Sequence, residues 1–296
     1  MDSIYLSIFY VFRFFIKFTP KFIINPILNF LAFLIYSVDK KHRKIAKVNL
    51  DLAYEDRISE EEKTNITKKC YKNLIYTLAD FIKNQGASKE EVLEKVTFEN
   101  SEIIENALSE NKRIILLTAH YGNWELLSLS IAAKFTPLAV VGRDLDSEVM
   151  NKILTKNREQ FDIELLSKSG AMKGMVKSLK SNRPVGLLVD QNTKDTEGIL
   201  IDFFGKKARH TPSIAVLAKK FDAIIIPAFI QNKNDGDFVV KFFEAIPVDN
   251  TDNKEEDIRK CVQSQADVTQ KIIEDKPEEW FWLHQRWKNQ YEHLYK

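Results

Sequence analysis

The sequence predicts an α/β protein, an open mixed sheet flanked by helices, with an apolar helical segment ahead of it. Three observations carry that prediction. From Arg113 onward, short apolar runs alternate with stretches of helical periodicity. Residues 113–127, RIILLTAHYGNWELL, read as a buried strand, a polar turn and a helix start. Residues 3–38 are dense in Phe, Ile, Leu and Tyr, broken only by Arg13, Lys17 and Lys21 among basic residues. With 296 residues, 44% hydrophobic and 29% charged, the chain can bury a large core.

Taken in order, residues 22–38 carry no charge over 17 positions, the lower limit for a membrane span. Lys40, Lys41, Arg43, Lys44 and Lys47 follow directly. Residues 1–50 hold eight Lys/Arg against Asp2 and Asp39, whereas the whole chain is only +2. A basic N-terminal stretch on a mildly acidic body argues against nucleic acid as partner. It predicts attachment to an anionic membrane surface, either by spanning or by lying flat. A cleaved signal peptide is not expected, since the apolar stretch starts late and lacks a small-residue cleavage site. The expected division is a membrane anchor with a basic flank over 1–47 and a single folded domain over 48–296.

Residues 50–84 read as helices, with Ser59 and Glu62 forming a capping box. Helices are expected at 88 onward and at 99–108. Strands are then expected at 113–119, 137–142, 163–166, 184–190, 199–204, 223–230 and 238–243, with helices at 147–161, 171–180 and 212–220. The connection 190–212 reads as a long charged loop carrying Asp190, Gln191, Asn192, Lys194, Lys206, Lys207 and Arg209. Near the end, PEEWFWLHQRWK puts three Trp and one Phe in twelve residues, which favours packing of Trp280 and Trp282 on the core. The two cysteines, Cys70 and Cys261, form no metal or disulfide pattern.

His120 falls at the carboxyl end of the first strand, where α/β sheets present functional groups. Asn123 is placed to cap the helix that follows. Glu125 lies five residues after His120, about 140° away on a continuous helix, so a turn at Gly122 is needed to bring the two together. A carboxylate accepting one imidazole N–H fixes the tautomer and leaves the other nitrogen free as a base. No Ser or Cys adjoins the pair, which points to a hydroxyl on the substrate as the nucleophile. With five His and 42 acidic residues the spacing arises easily by chance, and the strand–turn–helix context is what gives it weight. Arg143 and Arg158 are cations suited to a phosphorylated substrate. Serine-hydrolase, P-loop, zinc-protease and dinucleotide signatures are missing.

The stretches Arg43 with Asn49-Leu50, TAHYGNWELL, Arg158, VGLLVDQN, FFGKKARHTPS and PEEWFWLHQRWK together resemble the lipid A biosynthesis acyltransferase family, the lauroyl/myristoyl late acyltransferases. They occur in family order over nearly the whole chain. The resemblance implies a glycerolipid-acyltransferase-like fold on the cytoplasmic face of a bacterial inner membrane. It implies transfer of a fatty acyl group from acyl carrier protein to the hydroxyl of a 3-hydroxyacyl chain on a lipid A precursor, with no metal and no cofactor. His120 and Glu125 take the catalytic positions of the family; Asn123, Arg158, Asp190, Gln191 and Arg209 are the expected substrate-binding residues. The polar NTKDTEG before the FFG element departs from the family pattern. Rival readings are another glycolipid acceptor such as a phosphatidylinositol mannoside, an inactive membrane lipid-binding protein, and a thioesterase in which water replaces the hydroxyl.

Overall fold

The structure, a computed structural model, describes residues 2–143, 147–234 and 236–296. Helices α1 (Asp2–Phe18), α2 (Lys21–Val38), α3 (Lys40–Tyr54) and α4 (Glu60–Lys83) come first. The short α5 (Lys89–Leu93), strand β1 (Val96–Glu99) and α6 (Glu102–Ser109) lead to β2 (Arg113–Thr118). Then follow α7 (Trp124–Lys134), β3 (Ala139–Gly142), α8 (Glu148–Arg158), β4 (Glu164–Ser167), α9 (Ala171–Lys180) and β5 (Val185–Leu188). A hairpin, β6 (Ile199–Phe203) and β7 (Lys206–His210), precedes α10 (Ser213–Phe221), β8 (Ala223–Asn234) and β9 (Asp237–Phe242). Helices α11 (Lys254–Asp275) and α12 (Lys288–Tyr295) end the described chain.

Seven strands form one sheet in the order β1-β9-β8-β2-β5-β3-β4. The run from β8 to β4 is parallel, β9 folds back antiparallel on β8, and β1 runs parallel to β9. The sheet is therefore mixed, as the sequence predicts. β2 lies near its middle because both its faces are apolar, the pattern of a strand covered on two sides. Ile115 and Leu117 pack on one face with Leu179 of α9, Leu217 of α10 and Val262 of α11. Ile114 and Leu116 pack on the other with Ile104 of α6 and Leu126 of α7.

Most expected elements form within a residue or two of their places. The capping box of Ser59 and Glu62 starts α4 as read, each partner bonding the other's backbone N–H. Within the connection 190–212 the expected strand at 199–204 forms as β6, and a second strand, β7, pairs with it in a hairpin where loop was expected. Ile201, Phe203, Ala208 and His210 point inward while charged residues point out, and the outward charges gave the segment its loop-like composition. β1 and α11 also lie outside the expected set. Residues 277–287 are mainly non-helical, tied to the turn after β2 by the Tyr121–Trp280 bridge.

Four aromatic rings, Phe203, Trp280, Trp282 and Trp287, each at most 2% exposed, join the hairpin to this C-terminal segment. Arg286, also buried, fills the remaining space. It donates to the backbone oxygens of Gln191 and Arg209 and to His210 Nδ1 at 3.2 Å. Asn49 of α3 reaches the same segment, donating from Nδ2 to the carbonyls of Trp282 and His284, each at 2.7 Å. Tyr295 of α12 donates its hydroxyl to Asn49 Oδ1.

Two predictions follow from this clasp. Asn49 is fully buried, so Asn49→Ala strips its two carbonyl partners of a donor and is expected to lower unfolding free energy by about 2–4 kcal/mol, read by urea denaturation. His210 is also buried, and burial together with the Arg286 cation holds its pKa down to about 3. It is neutral in the fold and takes up a proton on unfolding below its ordinary value. Its contribution is complete above about pH 6.5 and is lost as pH falls from there toward 3, at about 1.4 kcal/mol per pH unit. Urea midpoints measured between pH 7 and 4.5 should fall in the wild type, with a visibly flatter slope in His210→Gln.

Candidate active site

His120 stands two residues beyond the end of β2, and Asp190 two beyond the end of β5. These strands are parallel neighbours with Thr118 opposite Leu188. Continuing that register sets His120 opposite Asp190. The Asp190 carboxylate accepts from the His120 ring at Nδ1, 2.9 Å, and from the His120 backbone N–H, 3.1 Å. Its second oxygen accepts from Trp280 Nε1 at 2.8 Å. The aspartate side chain is 2% exposed and the histidine 24%. Burial alone would raise the Asp190 pKa, but the facing histidine and the hydrogen bonds from His120 and Trp280 outweigh it and hold the carboxyl far below the usual range. A buried carboxylate on Nδ1 leaves Nε2 as the lone-pair nitrogen. The Gln191 amide approaches that nitrogen at 3.4 Å.

This corrects the expected pairing. Glu125 is the second residue of α7, and its carboxylate turns to Arg158, accepting from Nε at 3.0 Å and from a terminal guanidinium nitrogen at 2.5 Å. The reason is angular. Trp124 opens the helix and sets its ring 5.5 Å from the His120 ring, and Glu125, about 100° further round, faces α8 instead. Arg158 crosses the end of β3, where a Cβ on Gly142 would sit 2.9 Å from its guanidinium. Asn157 of α8 and Gln160 just beyond it dock this region onto the end of α4, bonding the carbonyls of Phe81 and Asn84 respectively.

The turn itself depends on Gly122. Its φ is +57°, and a Cβ there would lie 1.9 Å from the Ile230 carbonyl oxygen. Its N–H donates to the Glu279 carbonyl, and the Phe281 N–H donates to the His120 carbonyl at 2.9 Å. Asn123 caps α7 as expected, accepting from the Leu126 N–H at 3.2 Å, while its amide donates to Asp80 at 3.0 Å. Phe281 completes an aromatic rim with Trp124 beside His120.

Of the expected site residues, the structure brings together His120, Asp190 and Gln191, and separately Glu125 with Arg158. Asn123 is held within the turn between them. Arg209 is engaged elsewhere: its guanidinium bonds Asp195 at 3.2 Å and the Gly198 carbonyl at 2.9 Å. Trp280, Trp124, Phe281 and Asp80 were not singled out for the site. Trp280 carries no local signal for its role, which only the threading of residues 277–287 past the turn creates. Among the described residues, no group of three or more His, Cys, Asp or Glu is placed to hold a metal ion.

The chain is 23% identical to the lipid A biosynthesis myristoyltransferase of Escherichia coli over 214 residues, 72% of this chain and 66% of that protein. The aligned stretch thus spans just under two thirds of that relative. A lipid A biosynthesis acyltransferase of Haemophilus influenzae is 20% identical over 282 residues, 95% of this chain and 86% of the relative. The E. coli lipid A biosynthesis lauroyltransferase is 22% identical over 258 residues, 84% and 80% respectively. The family profile described as bacterial lipid A biosynthesis acyltransferase matches residues 2–289. With nearly all of its length matched, this chain belongs to the bacterial lipid A biosynthesis acyltransferase family.

Proposed function

We propose that this protein is an acyltransferase that moves a fatty acyl group from acyl carrier protein to the hydroxyl of a 3-hydroxyacyl chain on a lipid A precursor, working at the cytoplasmic face of the bacterial inner membrane. The observation that carries the reading is the partly exposed His120 whose Nδ1 is held by the buried Asp190 carboxylate. Family membership supports the reaction class and the lipid A acceptor. Residues 1–47 would anchor the enzyme and 48–296 carry the chemistry.

In this mechanism His120 Nε2 removes the proton of the acceptor hydroxyl as its oxygen attacks the thioester carbonyl. The C–O bond forms, the carbonyl oxygen gains negative charge, and collapse breaks the C–S bond. The imidazolium returns its proton to the departing sulfur. Asp190 keeps the ring in its tautomer and stabilises the transient cation without taking the proton itself. Trp280 fixes the second oxygen of that carboxylate. Glu125 holds the planar guanidinium of Arg158 at the edge of the site, where Arg158 offers charge to a lipid phosphate or to the developing oxyanion. Gln191 occupies the approach to His120 Nε2, where the acceptor hydroxyl would take its place. No covalent acyl-enzyme is needed, because the substrate supplies the nucleophile.

The test is a transfer assay with purified protein in detergent, an acyl–acyl carrier protein donor and a tetra-acylated lipid A precursor. His120→Ala is expected to lose at least about a thousandfold in turnover with an unchanged circular dichroism spectrum. Asp190→Asn should lose about a hundredfold or more, since an amide donor facing Nδ1 favours the wrong tautomer. Near-normal turnover in Asp190→Asn with an inactive Glu125→Gln would move the orienting role to Glu125. Release of free fatty acid without acylated lipid would replace the transferase with a thioesterase. Arg158→Lys keeps the charge but loses the two-pronged contact with Glu125, and at least a tenfold fall in kcat/KM is expected; an unchanged value would remove Arg158 from the site.

A further inference from the structure

Helices α1 and α2 carry an apolar surface that neither the core nor the site uses. On α2, the exposed residues Phe22, Ile27, Phe30, Phe33, Leu34 and Val38 recur at helical spacing along one stripe. The opposite stripe, centred on Leu28 and Ala32, packs against Ile75 and Ala79 of α4 and Ile16 of α1. Helix α1 repeats the arrangement. Its Arg13 donates to the Gln85 carbonyl and its Lys17 pairs with Glu91 at 3.6 Å, while Phe14, Phe15 and Phe18 face outward at 58–65% exposure.

By length and composition, α2 is the one described helix able to cross a membrane. Its packing argues against crossing. Tyr76 of α4 donates to the Asn25 carbonyl at 3.3 Å and bonds Asn29 Oδ1 at 3.1 Å, so α2 is tied to α4 as well as packed on it. Helix α4 cannot follow α2 into hydrocarbon. Lys68, Lys69 and Lys72 on it are exposed, and its Asn73 and Thr77 bond the Gly122 carbonyl of the active-site turn at 3.1 and 3.4 Å. A span would strip α2 from α4 and open an apolar seam beside the site.

The cations near the end of α2 complete the surface. Lys40 and Lys41 are exposed, the Arg43 guanidinium lies 5.0 Å from the Tyr36 ring centre, and the Lys68 ammonium lies 5.8 Å from it. The Lys72 ammonium lies 5.4 Å from the Tyr76 ring. Positive charge beside an outward apolar stripe complements an anionic lipid surface.

We propose that helices α1 and α2, both packed on α4, lie in the plane of an anionic membrane surface and do not cross it. The two helices seat α4, and with it the turn carrying His120, at a set height above the lipid headgroups. This rests on the membrane part of the proposed function and gives it a geometry.

The test uses the full chain and sealed vesicles of phosphatidylcholine with or without phosphatidylglycerol. Single cysteines replace Thr19 or Lys41 on either side of α2; the native Cys70 and Cys261 are buried. The expected result is flotation with the phosphatidylglycerol vesicles and equal labelling of both cysteines by an impermeant maleimide before and after lysis. Lys40→Glu combined with Lys41→Glu and Lys68→Glu should weaken vesicle binding about a hundredfold. A cysteine labelled only after lysis means a spanning helix and overturns the proposal. Absence of flotation, including the case where the stripes instead pair two copies of the chain in light scattering, also overturns it. Acyl transfer in detergent is read separately, so its loss with flotation and labelling intact removes the catalytic reading and leaves the in-plane helices.

Discussion

Parallel strands β2 and β5 run side by side with both carboxyl ends at the same edge of the sheet, and their register places the residues two beyond each end across from one another. One of these is His120 and the other Asp190. Backbone hydrogen bonding of the central sheet therefore sets the distance between a histidine and a carboxylate separated by 70 residues. A site built this way inherits the rigidity of the core, and slippage would break the sheet before it loosened the pair. The surrounding pieces serve the same contact: Gly122 lets the chain turn under the Ile230 carbonyl, and Trp280 holds the outer oxygen of Asp190.

Much of the fold was legible because the strands are apolar on both faces and the helices are amphipathic. β2, α9 and the Ser59 cap all obey local rules. The apolar run of β6 was legible, but the charges of β7, Lys206, Lys207 and Arg209, concealed its partner, since alternation so short is easily read as a loop. His120 was legible from its place between strand and helix. The carboxylate on its ring was not: spacing along the chain suggested Glu125, whereas pairing across the sheet places Asp190 there. His120 and Asp190 each stand two residues beyond a strand end and Glu125 lies within a helix, and that parity is the signal which separates the two carboxylates. Trp280 and Arg286 had no such signal. Their roles depend on how a mainly non-helical segment threads past the turn, and local pattern does not encode threading.

Two charge arrangements lie side by side around the hairpin and differ in kind. Asp190 is buried with three donors and stays ionised at low pH. Arg286 is buried against two carbonyls and a neutral histidine, its pKa lowered to about 10 by burial, which the charge on Asp190 partly opposes. The guanidinium remains a cation, and burial, reinforced by its field, keeps His210 neutral. His284, held down to about 4 mainly by burial, accepts from the Asn192 N–H at 3.1 Å. The two histidines nearest Asp190 after His120 are thus kept neutral, and His120 is the one whose ring meets its carboxylate.

The order in which a ribosome delivers these parts has its own consequence. His120 emerges 70 residues before Asp190, and Asp190 a further 90 before Trp280. A nascent chain holding only the first of them carries an imidazole with no fixed tautomer and no shaped surroundings. Helices α1, α2 and α4 emerge earlier still, so the membrane contact proposed above is available while the sheet is unfinished. The carboxylate that holds His120 Nδ1 arrives with β5, and Trp280, which fixes that carboxylate's second oxygen, closes over the early turn later still, so the imidazole gains its fixed tautomer in two separate late steps.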